Sequence, residues 1–170
     1  MKSKSLIAAS LLALSVMLAG AQTNPPAARA EALVVIVHTS NPVTNLSLAN
    51  LRNICVAEQK HWENGRKITV ALREPGQPER AAALQTVFRM KENEFDRYFL
   101  QSAFVGDVGT APKQLATANG VRRFVFNVPG AIGFVRVADL DDTVKVVRID
   151  GFAPGDVGYP LRLQPNQANP

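Results

Sequence analysis

Residues Ile68–Arg80 read ITVALREPGQPER. The β-branched run within Lys67–Leu72 predicts a strand. Arg73–Gln77 interrupts it with a Pro-Gly turn signal. Pro78 then opens a helix, because a proline in the first turn lacks only an N–H that would be unpaired anyway. Glu79 suits the positive end of that helix. Ala82, Leu84, Val87 and Phe88 supply an apolar stripe that carries it through Met90. A strand-loop-helix junction directs backbone N–H groups at one point, which is the physics of an anion site. Arg73 and Arg80 can add charge-assisted contacts to a phosphate, sulfate or carboxylate. The plainer alternative is that these arginines pair with Glu74 and Glu79.

Upstream, Ala32–His38 (ALVVIVH) is a continuous apolar run that predicts a buried strand. Asn41-Pro42 marks a turn, and Ser47 can cap a short helix through Cys55. Asn64-Gly65 is a second turn dipeptide beside Trp62. Downstream, Asn93 can cap a helix carrying Phe95, Tyr98, Phe99 and Ala103. Gly106–Pro112 reads as a loop. Thr117 and Asn119 are candidate caps for a helix over Gly120–Phe126. Strands follow at Ala131–Val135 and Thr143–Ile149, separated by an acidic, solvated turn of Asp139, Asp141 and Asp142. Gly151–Pro170 reads as loop, with a loose tail after Leu163. Strands alternating with helices predict an α/β layer structure with a mainly parallel or mixed sheet.

The 170 residues are 46% apolar and 19% charged, enough for one packed domain and too short for a multidomain enzyme. The net charge of +5 is modest and scattered. The aromatics fall mostly at apolar-periodic positions, not in a basic groove, which argues against nucleic acid as a partner. Met1–Ala21 has the three parts of a secretory signal peptide: Lys2 and Lys4, the apolar run Leu6–Ala19, and the small residues Ala19-Gly20-Ala21. The apolar run is shorter than the ~20 residues that span a bilayer, so no permanent membrane anchor is expected. Cleavage near Ala21 removes Lys2 and Lys4. It lowers Lys+Arg from 19 to 17 against 14 acids, so the charge falls from +5 to +3. A periplasmic or secreted protein is expected, with 22–30 as a linker, 31–163 as the domain and 164–170 as a flexible tail. Its single cysteine, Cys55, leaves no intramolecular disulfide and shares a helical face with Leu48, Leu51 and Ile54.

Catalytic chemistry finds little purchase. His38 and His61 lack ligand-spaced partners, so neither a metal nor another cofactor is expected. Ser40 and Ser102 show no base in the sequence. There is no nucleophile elbow, P-loop or dinucleotide fingerprint. An enzyme is not expected.

Several segments nevertheless resemble one family in order and spacing. VVIVHTSNPVTNLSLANLRNICVAEQKHW (34–62) is similar to the hinge strand, Asn-Pro turn and following helix of the phosphate-type periplasmic substrate-binding proteins of ABC transporters, in the type 2 periplasmic-binding-protein-like superfamily. ITVALREPGQPER resembles their strand and anion loop. VPGAIGFV (128–135), VKVVRIDGFAP (144–154) and GYPLRL (158–163) resemble later strands and the exit segment. The similarity runs from about Leu33 to Leu161. It implies an α/β fold with a mixed sheet flanked by helices, corresponding to the second of two lobes that close on a solute.

The resemblance also marks a departure. The family loop reads Arg-Glu-x-Gly-Ser-Gly-Thr-Arg. Arg73, Glu74, Gly76 and Arg80 fit it, whereas Ser-Gly-Thr is replaced by Gln77-Pro78-Glu79. The hydroxyl donors are gone, Pro78 has no N–H, and Glu79 puts a carboxylate where an oxyanion would lie. Thr117, Asn119 and Gly120 resemble a second set of donors. Two functions stay open. One is an exported, non-catalytic solute-binding-like module that recognises a small oxyanion or other solute through Arg73, Gly76, Gln77, Glu79, Arg80, Thr117 and Asn119. The other is an accessory module that has lost oxyanion binding and uses its cleft face for a protein partner or homodimer.

Overall fold

The computed structural model describes residues 32–104 and 111–163. The proposed signal segment, the linker, the tail and most of the Gly106–Pro112 loop lie outside these residues. The strands are β1 (Leu33–His38), β2 (Asn45–Leu46), β3 (Thr69–Arg73), β4 (Lys113–Leu115), β5 (Ala131–Arg136) and β6 (Val144–Ile149). The helices are α1 (Leu48–Cys55), α2 (Pro78–Ala83), α3 (Glu92–Phe104) and α4 (Ala118–Asn127).

One six-stranded sheet has the order β2-β6-β1-β5-β3-β4. β1 runs antiparallel to both of its neighbours, while the β2–β6, β3–β5 and β3–β4 pairs are parallel. The sheet is therefore mixed, as the sequence implies. Alternation along the strands separates two cores. Leu33, Val35 and Val37, with Val70, Leu72, Ile132 and Phe134, face α1–α3. Val34, Ile36, Ala71 and Val135 face Val121 and Val125 of α4. Burying each of these aliphatic side chains contributes about 1.5–3 kcal/mol before entropy is counted. With both faces covered, Leu33–Val37 of β1 and Ala131–Val135 of β5 read as unbroken apolar runs.

Three local expectations are corrected. The helix opening at Pro78 does not continue regularly to Met90. It widens into a π-type turn over Leu84–Phe88, keeping Leu84, Val87 and Phe88 all in the core, and stops at Arg89 with φ 55°. α3 begins at Glu92, so Asn93 lies in its first turn rather than capping it. The preceding Lys91 N–H is taken by the Glu94 carboxylate at 2.8 Å. In α4 Thr117 is the cap and Asn119 is already helical. β2 and β4, two and three residues long, were not foreseen.

The exit segment is loop, yet it is anchored. Tyr159 and Leu161 are buried, the Tyr159 hydroxyl donates to Leu33 O at 2.8 Å, and Leu33 N donates to Leu161 O at 3.1 Å. Trp62 is buried too, and its indole N–H donates to Gly130 O at 3.0 Å.

At Gly130 a Cβ would stand 2.1 Å from the Lys67 carbonyl oxygen, a backbone atom that cannot swing away. Gly130→Ala is expected to cost about 3 kcal/mol through forced backbone displacement, read as a lower midpoint in urea unfolding. Burial pushes the Cys55 thiol well above its usual range, so the folded chain keeps it protonated. The contribution to stability is present below the unfolded-state thiol pKa and is lost as pH rises above it. Cys55 should therefore label with a thiol reagent at neutral pH only at the rate of unfolding. Rapid labelling under native conditions would contradict its burial.

Candidate functional site

β3 and β5 are parallel neighbours, with Thr69 opposite Ala131 and Ala71 opposite Gly133. Their final residues, Arg73 and Arg136, emerge at one carboxyl edge, where open α/β sheets place ligands. α2 starts at this edge five residues after Arg73 and carries Glu79 in its first turn. The Glu79 side chain is 1% exposed. Its Oε1 lies 2.9 Å from Arg136 Nε and 3.5 Å from Arg73 Nη1.

The contacts are ionic but poorly directed. Among the described residues, neither carboxylate oxygen of Glu79 receives a hydrogen bond, and Arg73 Nε has no acceptor. The Arg136 Nε–H is committed to Asp139 Oδ2 at 3.0 Å. That bond and the Asp139 charge hold the Arg136 guanidinium above its ordinary pKa; burial opposes them, and Glu79 adds a smaller contribution.

The other predicted residues divide between this cluster and other roles. Gln77 Oε1 accepts from Arg73 Nη2 at 2.9 Å, and Ala116 O accepts from the same nitrogen at 3.0 Å. Gly76 forms the exposed corner of the loop at φ +83°, a conformation that favours glycine. Arg80 turns away, which corrects the expectation that it would join an anion site or pair with Glu79. Its Nε and Nη2 donate to Glu92 Oε1 at 2.8 and 2.5 Å, and its Nη1 donates to Arg73 O at 3.1 Å. Its guanidinium also sits 4.7 Å from the centre of the Phe95 ring.

Thr117 Oγ1 accepts the Gly120 N–H at 2.9 Å, and Asn119 Oδ1 accepts from Arg122 at 2.8 Å. Both oxygens therefore serve their own helix. The acidic turn is not merely solvated: Asp139 holds Arg136, and Asp141 Oδ2 lies 2.9 Å from Arg122 Nε. The Thr143 hydroxyl is the main cause that lowers the Asp141 pKa.

Arg136 and Glu92 were not singled out from the sequence. The available signal for Arg136 was a basic residue directly after the apolar strand AIGFV. Ser40 does acquire a ring nitrogen, with Oγ 2.9 Å from His38 Nδ1. However, that nitrogen also takes the Ser40 backbone N–H, and Arg66 Nη1 donates to Ser40 Oγ at 3.0 Å. This is a closed turn rather than a free nucleophile. Ser102 Oγ donates to Tyr98 O within α3.

No family model matches the chain. Solved structures share its fold. A phosphate ABC transporter substrate-binding protein with bound phosphate from Clostridium perfringens aligns at TM-score 0.60 and 23% identity, over 73% of this chain and 47% of that one. An ABC-type phosphate transport receptor from Vibrio cholerae aligns at 0.56 and 21%, over 73% and 48%. PstS from Borrelia burgdorferi aligns at 0.58 and 16%, over 73% and 49%. Over the aligned residues the chain thus shares the fold of part of these binding proteins, and it spans about half their length.

Arg80 acts here as a buried brace between the loop and α3. Arg80→Ala should cost about 3 kcal/mol, since it leaves the Arg73 carbonyl without that donor and removes packing on Phe95. Thermal unfolding checks the loss. An unchanged midpoint would contradict the bracing role.

Proposed function

We propose that the chain is an exported, non-catalytic module related to the phosphate-binding components of ABC transporters, with an anion loop occupied from within. The observation that carries this reading is the buried Glu79 carboxylate against Arg73 and Arg136. A carboxylate at that point repels an incoming oxyanion and holds the charges that would attract one. The signal-peptide build of residues 1–21 supports a periplasmic or secreted location, with 31–163 as the working domain. Among the described residues, no helix is long and apolar enough to cross a membrane.

Of the two functions left open by the sequence, the geometry favours the accessory one. At the carboxyl edge Arg73, Arg136 and Arg122 face Glu79, Asp139 and Asp141 in contact pairs. Such a charge-balanced edge suits contact with a protein surface better than capture of a free anion.

Titration calorimetry and thermal shift on the mature chain with phosphate and sulfate test the reading. No saturable heat and no specific shift are expected at millimolar anion. A ligand at 100 times its dissociation constant would add about 2.7 kcal/mol of stability. A shift of that kind with micromolar phosphate would overturn the proposal.

A further inference from the structure

We infer that the Arg73–Arg136 pair is a carboxylate site filled in cis by Glu79, and that removing the Glu79 side chain lets a free monocarboxylate take its place. The inference rests on the reading that Glu79 occupies the loop, and it adds the chemistry the two arginines select. A planar carboxylate matches the donor fork of a guanidinium. Here two guanidinium groups, delivered by separate strands, approach the same Glu79 oxygen at 2.9 and 3.5 Å.

A tetrahedral oxyanion is bulkier than the planar carboxyl group that Arg73 and Arg136 enclose. Pro78 offers it no N–H. Gln77 and Thr117 accept through their oxygens, so what they can offer an anion is a neutral N–H or O–H, weaker than a guanidinium. The pair makes two charged contacts on one flat anion.

The geometry also shows what the tether does. Glu79 is fixed to the first turn of α2, and its oxygens stay without a well-directed donor although they are buried. Among the described residues, Arg73 Nε is correspondingly left without an acceptor. An untethered formate or acetate in the space left by the Glu79 side chain is free to turn towards that nitrogen.

The test is chemical rescue of Glu79→Ala. Thermal unfolding is followed in sodium formate, acetate, phosphate and sulfate against sodium chloride at matched ionic strength. Wild type is run in parallel to remove general salt effects. The variant should melt below wild type. Formate and acetate should raise its midpoint saturably by about 5 °C, with under about 1 °C in wild type. Phosphate and sulfate should do less, and the double variant Glu79→Ala/Arg136→Ala should lose the rescue.

If the single variant does not fold in chloride, its refolding yield in each anion reads the same property. Recovery in formate supports the inference, and no recovery overturns it. Rescue by phosphate or sulfate exceeding that by formate also overturns it. Phosphate binding to wild type would instead sink the reading under Proposed function. A phosphate-blind wild type with no carboxylate rescue sinks the present inference alone.

Discussion

The Glu79 carboxylate, buried against the guanidinium groups of Arg73 and Arg136, joins the ends of two strands to the first turn of a helix. Taking a carboxylate out of water costs several kcal/mol even after relaxation, so its position must be held by surrounding charge. The arginines supply that charge and extend the linkage. Arg73 also donates to Ala116 O, just before α4, and Arg136 holds Asp139, in the turn before β6. One acidic side chain therefore lies at the centre of contacts that order the carboxyl edge of the sheet. An empty cleft at this edge would leave two neighbouring cations without that charge.

This arrangement depends on a frame that is indifferent to it. The two cores on either face of the sheet are apolar, and their alternation fixes the register of β1, β3, β5 and β6. A one-residue slip in β3 or β5 would turn its apolar set to the other face and carry Arg73 or Arg136 with it. The parallel pairing of these strands then delivers the two arginines to one edge regardless of what lies between them. Fold likeness to the solved neighbours at 16–23% identity is understandable on these terms. The core pattern sets the architecture, whatever residues the loops carry.

Legibility in the sequence follows the same division. The apolar run Val34–Val37 and the strands at 69–73 and 131–136 announce themselves because burial on both faces leaves a local signature, while 144–149 shows as β-branched residues interrupted by Lys145 and Arg148. β2 and β4 do not, since two or three residues carry no periodicity and exist only by pairing with β6 and β3. The strand-loop-helix junction at Arg73–Pro78 is visible, and Glu79 stands out as a departure from the resemblance. What could not be read was the partner of each arginine. Arg136 is 63 positions from Arg73 and meets it only through strand pairing. Glu92 reaches Arg80 because the chain leaves the π-type turn at Arg89 in a left-handed conformation and reverses into α3.

Arg73 and Arg80 show why spacing alone misleads at such a loop. Both are basic, both nearly buried, and both match the resemblance at their positions. One ends a strand and the other sits in the first turn of a helix, so their side chains leave in different directions. Arg80 lies one residue beyond Glu79, about 100° around the helix, and so cannot share its face. If Glu79 points into the carboxyl edge, Arg80 must point elsewhere, and it finds Glu92 and Phe95. The carboxylate at position 79 therefore defines two environments through one helical step: a charge-filled edge against Arg73 and Arg136, and a brace in which Arg80 ties the loop to α3.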